Sequence, residues 1–132
     1  MVSGAQTLVV LAGLLGATGV AAGAFGAHGL RGSLSESLMR AFETGVQYQL
    51  LHAVALFGVA WLVNIGRSPL ASAAGWTMVA GVLLFSGSLY ALALGGPRWF
   101  GPVTPIGGLC LMVSWALVVA AALGADDSAV PL

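Results

Sequence analysis

Four stretches of roughly 20 apolar residues, separated by short polar connections, constrain this chain more than any other feature. They run from about Gln6 to Ala27, Glu43 to Val63, Ala71 to Leu94 and Pro105 to Gly124. Wound as an α-helix rising about 1.5 Å per residue, each matches the roughly 30 Å hydrocarbon core of a bilayer. Short connections favour antiparallel neighbours. The expected fold class is an all-α membrane protein, a single domain over residues 1–132, built as an antiparallel bundle of four transmembrane helices. Composition agrees: 6% of residues are charged and 59% hydrophobic, whereas a soluble domain is about a quarter charged. Such a chain cannot cover a water-facing surface. It has no lysine and a formal net charge of zero, so the lipid bilayer is the expected partner and nucleic acid is not.

The first connection is the longest. Leu30, Leu34, Leu38 and Phe42 follow i, i+4 steps and form one stripe of a helix. Ser33 and Glu36 have capping-box spacing, and Glu36 and Arg40 form an i, i+4 pair in the favourable order. A short amphipathic interfacial helix is therefore expected over about 33–42, with Gly45 bending its junction with the second span. Asn64, Gly66 and Pro69 punctuate the second connection, and Gly95, Gly96 and Pro97 the third. The tail carrying Asp126 and Asp127 is expected to be loose. The first span is expected to be retained: no Lys or Arg precedes it, and it is too long for a signal-peptide apolar region. Arg31, Arg40 and Arg98 fall on one side of the membrane and Arg67 on the other, which predicts cytoplasmic Arg-bearing loops and both termini outside.

Small residues recur in the first span at steps of three and four, and Gly16, Gly19 and Gly23 mark a face for close helix approach, as do Gly107 and Gly108 in the fourth. The expectation is that the first span packs centrally through that face. Polar residues crowd into the half of the bundle nearest the Arg-bearing loops: Glu43, Gln47, Tyr48, Gln49 and His52 on the second span, and Ser86, Ser88 and Tyr90 on the third. Intramembrane polar groups usually face a bundle interior. Their plain reading is structural, as an interfacial Glu43–Arg40 pair, interhelical glutamine bonds and a satisfied core histidine. Their sharper reading is a pocket centred on His52, bonded to Ser or Tyr hydroxyls. His28 reads as a loop residue, Cys110 as a small apolar filler, and Trp61, Trp76, Trp99 and Trp115 as membrane-belt residues. No metalloprotease, dithiol, phosphate-loop or nucleophile-elbow pattern is present. No catalytic residue, metal or cofactor is expected.

Taken together, Phe25-Gly26-Ala27-His28-Gly29-Leu30, Phe42-Glu43-Thr44-Gly45-Val46-Gln47-Tyr48-Gln49 with His52-Ala53, Phe85-Ser86-Gly87-Ser88-Leu89-Tyr90, and Thr104-Pro105-Ile106-Gly107-Gly108 with Trp115 resemble domain-of-unknown-function family 423, the YgdD-like inner-membrane proteins. The resemblance covers nearly the whole chain. It implies four spans in a plasma membrane and supplies no activity. Ser114 departs from the pattern, which expects a glycine before Trp115. The expected role is a non-enzymatic packing, assembly or accessory subunit, with a membrane-protein partner or a homo-oligomer. The alternative is a binder or conduit for a small ligand, lipid or proton using the polar half.

Overall fold

A computed structural model describes residues 1, 3–66 and 69–124; Arg67, Asp126 and Asp127 lie outside the described residues. Four long apolar helices fill the chain: α1 (Gly4–Phe25), α2 (Glu36–Asn64), α3 (Pro69–Ala93) and α4 (Phe100–Leu123). Helix α1 begins with a reciprocal cap. The Ser3 hydroxyl accepts from the Gln6 N–H at 3.2 Å, and the Gln6 amide oxygen accepts from the Ser3 N–H at 2.8 Å. Its far end widens into a π turn over Gly26–Leu30.

No separate interfacial helix exists between the first two spans. Residues 36–42 are the first two turns of α2, which runs unbroken for 29 residues, about 43 Å. That length matches a bilayer with its headgroup layers, about 40–45 Å. Nothing between Glu36 and Asn64 breaks a helix. The start lies at Ser35, whose hydroxyl accepts from the Leu38 N–H, and not at Ser33. No junction interrupts the helix at Gly45, which makes room for a neighbour. A Cβ there would lie 2.8 Å from the Tyr90 ring. Arg40 pairs with Glu36 on the exposed surface, so Arg40 is not the partner of Glu43. Helix α4 starts earlier than Pro105, at Phe100. Pro102 sits in its first turn, where no N–H is needed, and Pro105 removes one interior hydrogen bond without ending the helix.

Each helix packs against the next in sequence, so α2 and α3 are central, while α1 and α4 are outer and do not meet. The expectation of a central first span is thus overturned. Leu8 and Ala12 of α1, Leu56 and Val59 of α2, Met78 and Val82 of α3, and Leu111 of α4 form one apolar core. In lipid, dispersion and shape fit hold such a core, because leaving water contributes little. The tightest approach is at Gly107, where a Cβ would meet the Phe85 backbone nitrogen at 2.3 Å; next to it, Gly108 has ordinary clearance of 3.7 Å from the Phe85 ring. On α1, a Cβ at Gly19 would strike Leu50 at 2.7 Å and one at Gly23 would press Val46 at 3.3 Å. Gly16 has nothing within 4 Å, so it makes no such close approach.

Candidate functional site

The polar residues separate into three groups because α2 presents different faces to different neighbours. The first group joins α1, α2 and α3. Gln49 is 6% exposed. Its amide nitrogen donates to the Leu15 carbonyl at 2.9 Å and to the Thr18 hydroxyl at 2.8 Å, and its amide oxygen accepts from the Tyr90 hydroxyl at 2.7 Å. Both amide hydrogens are used, and Thr18 passes its own proton to the Leu14 carbonyl. One side chain therefore ties three helices together at one depth. One turn before Tyr90 on α3, the buried Ser86 hydroxyl donates to the Gly45 carbonyl at 2.7 Å.

The second group lies between α2 and α4, over α3. His52 is 3% exposed. Its Nδ1 lies 2.7 Å from the Tyr48 carbonyl, and its Nε2 lies 3.2 Å from the Trp115 indole nitrogen. The carbonyl can only accept and the indole N–H can only donate, so this pairing assigns the tautomer with the proton on Nδ1. Tyr48 stacks near His52, with ring centroids 5.9 Å apart, and leans on Phe85 at 4.6 Å. His52 is therefore bonded to a backbone carbonyl and an indole, and not to Ser or Tyr hydroxyls. Ser88 turns the other way and shares a 2.7 Å hydrogen bond with Thr104 of α4. Trp115 is a hydrogen-bonding member of this group as well as a lipid-facing residue. A groove of about 610 Å³ opens sideways beside it, lined by Tyr48, His52, Phe85 and Trp115 among others.

The third group is Glu43 with Gln47, one turn apart on an exposed face of α2. Neither has a hydrogen-bond or ion-pair partner among the described residues. They line a notch of about 170 Å³ between α1 and α2. His28, on the π turn, is also exposed. Ser114 is fully enclosed and bonds its hydroxyl to the Leu111 carbonyl at 2.8 Å, so a serine fits where the family pattern expects glycine. Cys110 is half-buried and free. Among the described residues no group of three His, Cys, Asp or Glu could hold a metal ion.

Sequence reasoning passed over Thr18 and named Thr104 only as part of the fourth span's motif, not as a site residue. Each is the partner of a residue it did single out, Gln49 and Ser88. Both are threonines within apolar helices, where the hydroxyl's need for an acceptor was the available signal.

Residues 22–108 match the family described as a protein of unknown function, DUF423. The UPF0382 membrane protein YwdK of Bacillus subtilis is 40% identical over 119 residues, covering 89% of this chain and 97% of the relative. A UPF0382 membrane protein of Staphylococcus epidermidis is 40% identical over 118 residues, 89% of this chain and 96% of its own. The UPF0382 inner membrane protein YgdD of Escherichia coli is 36% identical over 116 residues, 88% of each chain. No solved structure matches the chain. Four membrane-length helices, the shared motifs and full-length similarity to these relatives lead to one conclusion: the chain belongs to the DUF423 (UPF0382) family of membrane proteins.

Proposed function

We propose that this protein is a non-enzymatic accessory or assembly subunit of the inner, cytoplasmic membrane, acting through its helix faces, with both termini outside the cytoplasm. One observation carries the reading. The buried polar side chains Gln49, His52, Ser86, Ser88 and Ser114 are all bonded to other parts of the chain. Such a network fixes helix register and leaves little for turning over a substrate. The outer helices α1 and α4 each pack mainly against a single neighbour, which leaves long faces for a second membrane protein or a second copy. The location follows the name of the YgdD relative. The orientation rests on Arg31, Arg40 and Arg98 at one end against Arg67 at the other.

Gentle extraction of the native membrane followed by intact-complex mass measurement tests the subunit reading. The expected result is this chain in stoichiometric complex with another membrane protein or with itself; a lone monomer would overturn it. Reporter fusions at Leu132 should be active only outside the cytoplasm.

A second reading, a binder of a small lipid-dissolved ligand, draws support from the groove beside His52. Its wall includes Tyr48, whose hydroxyl has no partner among the described residues. A small molecule retained in the same mass measurement would favour it.

A further inference from the structure

The notch between α1 and α2 holds a carboxylate, Glu43, that has no partner among the described residues. Glu43 lies seven residues into α2, about 10 Å along the axis. Helix α2 exceeds the roughly 30 Å hydrocarbon core by about 13 Å. Shared between the two ends, that excess puts Glu43 just beneath the headgroup boundary, from which its side chain extends toward the headgroups. Arg40, the cation nearest in sequence, is held by Glu36. An anion at this depth is costly without a cation, and residues so placed usually have a partner. Glycine shapes the space beside it. Gly23 of α1 and Gly26 of the π turn contribute no side chains, and Phe42 and Val46 form an apolar floor. Gln47, also unpartnered, lies one turn deeper, about 6 Å further from the membrane surface.

We propose that this notch binds a phospholipid carrying a primary-amine headgroup, of the phosphatidylethanolamine type. The order of polar groups along such a lipid fits the order along α2. The ammonium is outermost and pairs with the Glu43 carboxylate. The glycerol ester carbonyls lie deeper, where the Gln47 amide N–H donates to them. The acyl chains then follow the α1–α2 surface. The phosphate lies between the two, and His28 and Arg31, exposed on the connection outward of Glu43, take no part in the pairing. The notch, about 170 Å³, suits a small headgroup and is too small to seat a helix. A quaternary amine lacks the N–H groups that a carboxylate accepts, so the site discriminates against choline lipids. This assignment goes beyond the subunit reading and does not depend on it.

The test uses the full chain reconstituted in nanodiscs of equimolar phosphatidylethanolamine, phosphatidylcholine and phosphatidylglycerol, with retained lipid identified by native mass measurement. The expected result is one phosphatidylethanolamine retained about tenfold over the other two, the scale of a charge-assisted hydrogen bond. Glu43→Gln should reduce that preference to the bulk ratio, and Gly23→Leu, which fills the notch, should abolish retention. Val54→Ala, an exposed change on the same helix outside the notch, should leave the preference intact. Helical content and melting temperature, measured on each variant, separate lost binding from lost folding. Gln47→Ala, a surface change, should weaken retention without unfolding the chain. Equal retention of ethanolamine and choline lipids overturns the proposal, as does enrichment that survives Glu43→Gln. Preference for phosphatidylglycerol would assign the binding to His28 and Arg31 instead, and a protein released by Glu43→Gln in place of lipid would assign the notch to a partner's basic side chain; both overturn it.

Discussion

The two halves of this bundle are held together by different physics. Toward the free ends of α1 and α4, Leu8, Leu56, Val59 and Met78, and beyond them Leu62, Ala71 and Ala121, pack as apolar clusters whose side chains carry no hydrogen-bonding groups. Toward the Arg-bearing loops, Gln49, Ser86, Tyr90, Ser88, Thr104, His52 and Trp115 bond from one helix to another. The apolar half needs only shape, and glycines supply it: a Cβ at Gly75 would strike Leu8 at 2.6 Å. The polar half also fixes register, because sliding or rotating one helix leaves several donors and acceptors unpaired in lipid. Dispersion contacts tolerate a small slide; directed hydrogen bonds do not.

Substitutions can break or sharpen that contrast. The largest effect is expected where backbone meets backbone. Gly107→Val should cost about 3 kcal/mol, because α4 must move off the Phe85 backbone. Gly108→Val should cost far less. Equal melting temperatures for the two would refute the close approach.

Next comes Gln49→Leu, nearly isosteric but with three interhelical bonds lost. Membrane hydrogen bonds average about 0.6 kcal/mol each, so a loss of about 2 kcal/mol is expected. A double-mutant cycle with Tyr90→Phe should reveal coupling between the two residues. Strict additivity would show that the polar half is held by shape alone, like its counterpart.

Trp115→Phe keeps an aromatic side chain and removes the indole donor to His52 Nε2, for an expected loss of about 1 kcal/mol. Nitrogen NMR of the imidazole should report Nδ1 protonated in the parent chain and a changed Nε2 environment in the variant. An unchanged Nε2 signal would mean that the indole does not reach it.

The smallest effect tests the outer position of α1. Gly16→Ala should raise stability by roughly 0.5 kcal/mol, since nothing lies within 4 Å of the added methyl. Gly19→Ile should be clearly destabilising, through its collision with Leu50. If the two substitutions cost the same, α1 uses a different face from the one described.

Much of this was legible along the chain. The spans announce themselves because lipid demands long uninterrupted runs of apolar residues, and the need to satisfy polar groups marks Gln49, His52, Ser86, Ser88 and Tyr90 before any contact is known. The partners were harder to read. Gln47 and Gln49 are two residues apart and identical in type, yet one is enclosed and the other faces outward, because successive side chains on a helix diverge by about 100°. Likewise Gly16 and Gly19 share a motif, but only Gly19 meets α2. The interfacial helix was misread because an i, i+4 stripe looks the same in a separate helix and in the first turns of a long one. Only continuity past Gly45 distinguishes them.

The sequence by itself determined that this protein crosses a membrane four times, that its helices alternate in direction and that its polar groups gather toward one end. Those properties follow from runs, lengths and loop sizes, which are local. Tertiary structure alone decided that α2 and α3 are central, that the polar set divides into three groups, and that Glu43 has no partner among the described residues. Those outcomes depend on the rotation of each helix about its axis. Rotation is set by the summed fit of many small contacts across helices, none of which is written in the spacing of any single segment.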